Sequence, residues 1–103
     1  MSGILEVVEG LRYQSADEQI SYGITTTNWA STPTSPSVVA YDEADNSVVT
    51  STVFPTNSPG VAGDIITLSA LRALTKGHTY RIEVKFTASG NIWECFFKVK
   101  CEF

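Results

Sequence analysis

Residues 79–103 read TYRIEVKFTASGNIWECFFKVKCEF, and their alternation decides the fold. Tyr80, Ile82, Val84 and Phe86 fall on one side of an extended chain, and Arg81, Glu83 and Lys85 on the other. After ASGN the alternation resumes. Trp93, Cys95, Phe97, Val99, Cys101 and Phe103 share one side, and Ile92, Glu94, Phe96, Lys98, Lys100 and Glu102 the other. A period of two marks a half-buried strand. Two such strands joined by a tight Gly-containing turn form a hairpin, expected to seal one sheet of a sandwich.

Working outward, turn signals recur about every ten residues, the spacing of a sandwich or small barrel. Residues 64–68, DIITL, predict one strand and residues 47–54, SVVTSTVF, another. Residues 37–42, SVVAYD, predict a strand turned by the DEADN that ends at Asn46. In residues 19–27, Ile20, Tyr22, Ile24 and Thr26 share a face. Pro33 and Pro36 in NWASTPTSPS mark a crossing loop, because proline cannot donate to a ladder. PTNSPGVAGD reads as a loop. SALRALTKG has room for one helical turn before Gly77 and no more. Residues 4–8, ILEVV, predict a short strand or an extended arm. The expected organisation is an N-terminal arm or first edge strand over 1–18, then a sandwich over 19–103. About seven strands in this length is an immunoglobulin-like count.

Composition agrees. The 103 residues suit one domain, and 43% hydrophobic residues suffice for a core. Formal net charge is −4 and no basic run occurs, which argues against nucleic acid as a partner. Residues 1–50 hold seven acids and one base, and residues 51–103 four acids and six bases. The imbalance suits different surfaces on two sheets, or head-to-tail meeting of copies. MSGILEVVEG lacks the basic start and apolar run of an export signal. No apolar run approaches the roughly 18 residues of a membrane span. The expectation is a soluble protein made in the cytoplasm, with no membrane partner.

Few residues suggest chemistry. Cys95 and Cys101 lie on one predicted strand, about 20 Å apart at ~3.3 Å per residue, too far to bridge. With a single histidine, His78, the chain has few ligands for zinc. DEADN lacks the alternation and distal glutamate of a calcium loop and reads as a hairpin tip. No Gly-x-Ser-x-Gly turn or phosphate-cradling glycine loop occurs. The chain is expected to be no enzyme and to need no cofactor or metal.

His78 sits within LTKGHTY, residues 74–80. A leucine, a glycine and a tyrosine opening a late strand match the tyrosine corner of Greek-key sandwiches. Leu74 is expected to pack inward, Gly77 to permit the bend, and the Tyr80 hydroxyl to bond upstream backbone. His78 is then a solvent-facing spacer. Phe96, outward between Glu94 and Lys98, marks a partner surface or a place covered by the arm. Ile4, Leu5 and Val7 in the arm, with Trp29 in a loop, complete the candidate contacts.

ISYGITTTNW (20–29), SPSVVAYDEAD (35–45), VTSTVFPTNSP (49–59) and the stretch from Leu74 to Phe97 together resemble small immunoglobulin-like virion proteins of tailed bacteriophages and prophages. Some of these are described as fibre–tail adaptors. The resemblance is a pattern of strands and turns over roughly residues 19–100. It implies an all-β, Greek-key sandwich acting as a non-enzymatic virion structural protein. Such a protein is made in the host cytoplasm and docks, in oligomeric form, on tail, fibre or capsid proteins. A head decoration (cement) role belongs to the same expectation. The alternative is a carbohydrate- or cell-surface-binding module built on Trp29 and neighbouring loop aromatics.

Overall fold

A computed structural model describes residues 4–6, 12–26, 32–88 and 90–102. Its centre is the hairpin of β8 (Thr79–Ala88) and β9 (Asn91–Cys101), paired antiparallel from Thr79↔Lys100 to Ala88↔Asn91. Gly90, at φ +80, supplies the left-handed residue that so tight a turn requires. Along β8, Tyr80, Ile82, Val84, Phe86 and Ala88 are all buried, as the period of two dictates. On β9, Cys95, Phe97, Val99 and Cys101 are buried, and Trp93 packs partly buried against them.

The hairpin is the middle of the larger sheet, ordered β1-β9-β8-β4-β5. Here β1 is Ile4–Glu6, β4 Thr34–Asp42 and β5 Ser47–Val48. A further strand, β2 (Arg12–Gln14), joins β9 on the same edge as β1. Both arm strands run parallel to β9, with Leu5 opposite Cys95 and Gln14 opposite Cys101. The smaller sheet is β3 (Gly23–Thr25), β7 (Ile65–Thr67) and β6 (Gly60–Ala62), in the order β3-β7-β6. Ile24, Ile66, Leu68 and Leu71 from this side meet Val38, Ala40, Ile82, Val84, Phe86 and Phe97 in one buried cluster. The Tyr22 ring lies tilted on Phe97, centroids 5.3 Å apart. The protein is therefore all-β, in two packed sheets.

Three local expectations are corrected. First, residues 47–54 are not one strand: β5 stops at Val48, and Thr50–Val53 form a helical turn, α1. The turn carries Val53 and Phe54, both 1% exposed, into the core, a gain that outweighs the β-propensity of the segment. Second, Pro36 lies inside β4. The register with β8 shifts between Thr34 and Ser37, and Ser35 has φ +52, so the proline sits at a bulge where no ladder bond is lost. Third, part of the Pro/Gly-rich loop is β6, returned onto β7 by the two-residue turn Gly63–Asp64, with Gly63 at φ +60.

The outer edge of β4 is closed piecemeal. The Val49 N–H donates to Ala40 O, and the Ala40 N–H donates to the Thr50 hydroxyl. Asn57 Nδ2 donates to Val38 O. These groups replace a neighbouring strand and leave little for another chain to pair with. Among the described residues, no helix is long and apolar enough to cross a membrane.

Candidate functional site

The corner that leads into β8 is built from LTKGHTY. Leu74 is buried at 5% exposure and Tyr80 at 2%. Ala73 at φ +60 and Gly77 at φ +88 supply two left-handed positions, so the chain reverses within four residues. The Thr75 N–H donates to the Tyr80 hydroxyl oxygen at 2.7 Å. The tyrosine thus ties the first turn of the corner to the strand that leaves it. Tyr80→Phe keeps the ring and removes the acceptor of a partly buried N–H. Stability should fall by about 1–2 kcal/mol in equilibrium urea unfolding. An unchanged midpoint would leave the hydroxyl without a structural role.

His78 is not the solvent-facing spacer expected of it. Its Nδ1 lies 2.7 Å from Asp42 Oδ2, and a carboxylate at that distance accepts its N–H. Asp42 pairs with Tyr80 across β4 and β8, which places its side chain beside a residue 36 positions away. Asp42 Oδ1 accepts the Ala44 N–H, and Asp45 Oδ1 accepts both the Ser47 hydroxyl and the Ser47 N–H. The Ser47 hydroxyl bond, first among several causes, holds the Asp45 carboxyl below its ordinary range. Asp45 is thus engaged within the turn, whereas Asp42 also reaches His78 on the neighbouring corner. Among the described residues, no group of three His, Cys, Asp or Glu side chains is placed to hold a metal ion.

The broadest surface with distinctive chemistry is the outward side of the larger sheet. Arg81 is its hub. Its guanidinium lies 4.7 Å from the Tyr41 ring centroid, Nε donates to Glu83 Oε2 at 2.8 Å, and Nη1 donates to Glu43 Oε2 at 3.3 Å. Lys98 reaches the other Glu43 oxygen at 3.5 Å. Held by two carboxylates and a ring, the guanidinium is pre-ordered, with little rotamer freedom left to lose on contact. Phe96 is half-buried next to Glu83 in the register. Tyr13 and Val48, at 60% and 64% exposed, flank this centre opposite Lys100 and Tyr41, and Ile92, at 54%, lies further along β9 opposite Thr87. A shallow depression of about 220 Å³, lined by Ser37, Val39, Tyr41, Glu83, Lys85 and Glu94 among others, runs across β4, β8 and β9.

The remaining candidates scatter. Ile4 and Leu5 belong to β1, opposite Glu94 and Cys95, so β1 lies along the middle of β9 with Glu6 opposite Phe96. Val7 and Trp29 lie outside the described residues. Cys95 and Cys101 are buried and neither is in a disulfide; burial pushes the Cys95 thiol up to about 12.

Sequence reasoning missed Gln14. It is 1% exposed, its Nε2 donates to Leu71 O and Glu18 O, and its Oε1 accepts the Tyr22 hydroxyl. Nothing in RYQSADE marks a buried amide. It missed Arg81 as well, although alternation placed that residue outward. Compared with known proteins, the chain matches no family model and no curated sequence.

Proposed function

We propose that the chain is a non-enzymatic, immunoglobulin-like module of a tailed-phage particle, docking on other virion proteins through the outward side of its larger sheet. The observation that carries this is the Arg81 hub: a pre-ordered guanidinium among Tyr41, Glu43, Glu83 and Lys98, with exposed Val48 opposite Tyr41 and exposed Tyr13 opposite Lys100. Aromatic residues and arginine are the types enriched where proteins meet. The surface is shallow and broad, suited to another protein more than to an enclosed small molecule.

Support for the immunoglobulin-like reading comes from the strand orders. A β3-β7-β6 sheet faces β9-β8-β4-β5, and the tyrosine at the start of β8 bonds upstream backbone. The resemblance over residues 19–100 supplies the virion context, as a tail or fibre adaptor or a head decoration protein.

The test is particle incorporation. Purified particles should contain the chain by mass spectrometry, and Arg81→Ala combined with Phe96→Ala should reduce its incorporation at least tenfold while circular dichroism stays that of the unaltered protein. Particles lacking the chain overturn the virion reading. Undiminished incorporation of the folded double variant overturns the assignment of the docking face.

A further inference from the structure

The arm meets β9 twice, and the two meetings are anchored differently. At β2, Gln14 is buried in its three side-chain bonds, and the Glu102 N–H donates to the Gln14 carbonyl. At β1, the pairing is a three-residue parallel ladder, Ile4–Glu6 against Glu94–Phe96. Between the two, the arm advances six residues from Glu6 to Arg12 while β9 advances three from Phe96 to Val99. Six residues of chain can reach about 20 Å, whereas three residues of β9 rise about 10 Å. The strand β1 is thus tethered to a firm anchor by more chain than its own docking needs.

We propose that Ile4–Glu6 is an exchangeable strand, and that two copies of this chain swap it, each laying its β1 on the β9 edge of the other in the same parallel register. The second copy is the occupant because the fit is already made within one chain. This strand pairs with this edge, and a second copy offers both again. Every backbone bond given up within a chain is remade between chains, so the exchange costs little beyond association. Exposed N–H and C=O groups on a vacated β9 edge demand a new strand, which makes the exchange reciprocal. On the far side the edge strand β5 is only two residues long and the rest of the β4 edge is capped by Val49, Thr50 and Asn57, which leaves little ladder there for a further copy. This inference is independent of the virion reading and is tested on the purified chain alone.

Leu5 and Cys95 are register partners. Neighbouring strands lie about 4.8 Å apart, within the Cα separation a disulfide accepts. Leu5→Cys in a Cys101→Ala background therefore places one introduced thiol opposite one native thiol. Oxidised when dilute, this protein should give mainly an intrachain bridge. Oxidised after incubation at high concentration, it should give a covalent dimer on non-reducing electrophoresis, increasing with concentration. In parallel, light scattering on the unaltered chain should show a concentration-dependent dimer that disappears when residues 1–6 are removed. An intrachain bridge at every concentration overturns the proposal. So does an unaltered chain that stays monomeric throughout, or a dimer that survives removal of residues 1–6. If the doubly substituted protein does not fold, the scattering pair decides by itself.

Discussion

Phe86→Ala is expected to lower the free energy of unfolding by about 3–5 kcal/mol, the range for deleting a buried aromatic side chain. Phe86 is 1% exposed in the middle of β8. That strand is paired on both sides, with β4 through Asp42↔Tyr80 to Thr34↔Thr87 and with β9 along its whole length. Its backbone cannot sink into the space left behind without breaking ladder bonds, so most of the cavity should persist. Against a total of about 5–15 kcal/mol for a domain, this is a large fraction, and the urea midpoint should drop accordingly. Phe96→Ala provides the contrast. It removes the same atoms from the other side of the hairpin, where the ring is half-buried, and should cost about 1 kcal/mol or less. If the two costs came out equal or reversed, the assignment of inner and outer sides of the sheet would be wrong.

The second large effect belongs to Gln14. Its amide satisfies groups from three places: Leu71 O at 2.7 Å, Glu18 O at 2.9 Å and the Tyr22 hydroxyl at 2.8 Å. Tyr22 is partly buried, and burial, reinforced by the Glu18 charge and opposed by Arg12, pushes its hydroxyl above the ordinary range. Gln14→Ala leaves that hydroxyl without its acceptor, strips both carbonyls of a donor and opens a small void. A neutral bond is worth about 1 kcal/mol, with more where a partner stays buried, so the total should be about 3 kcal/mol by urea unfolding. Gln14→Glu should be worse at neutral pH, because a carboxylate cannot donate to two carbonyls and would be buried without a cation. A loss under about 0.5 kcal/mol for Gln14→Ala would show that the network contributes nothing net.

How much of this was legible follows from particular residues. The inner row of β8 and β9 was readable letter by letter, from Tyr80 to Cys101, because alternation is a property of a single extended chain. The turns at Gly77 and Gly90 were readable because each needs a residue that tolerates positive φ. The corner was readable because its three letters lie within seven residues. By contrast, Thr50–Val53 has the composition of a strand, and only the packing of Val53 and Phe54 against the core makes it a helical turn. Pro36 reads as a strand breaker until the bulge in β4 is known. The segment at Gly60 reads as a loop until β7 is beside it.

For the candidate surface, alternation put Phe96 and Arg81 outward but said nothing about their neighbours. Arg81 meets Glu43 across 38 residues, His78 meets Asp42 across 36, and Gln14 meets Leu71 across 57. Such pairings depend on which strands lie side by side. The sequence by itself therefore determined the strands of the hairpin, their buried side and the corner that feeds them, all consequences of local chain geometry. Only the tertiary structure decided that the arm runs parallel along β9, that the arm's own Gln14 is buried there, and that a guanidinium lies ordered on the outer side. Those contacts follow from long-range strand order, which no short stretch of residues encodes.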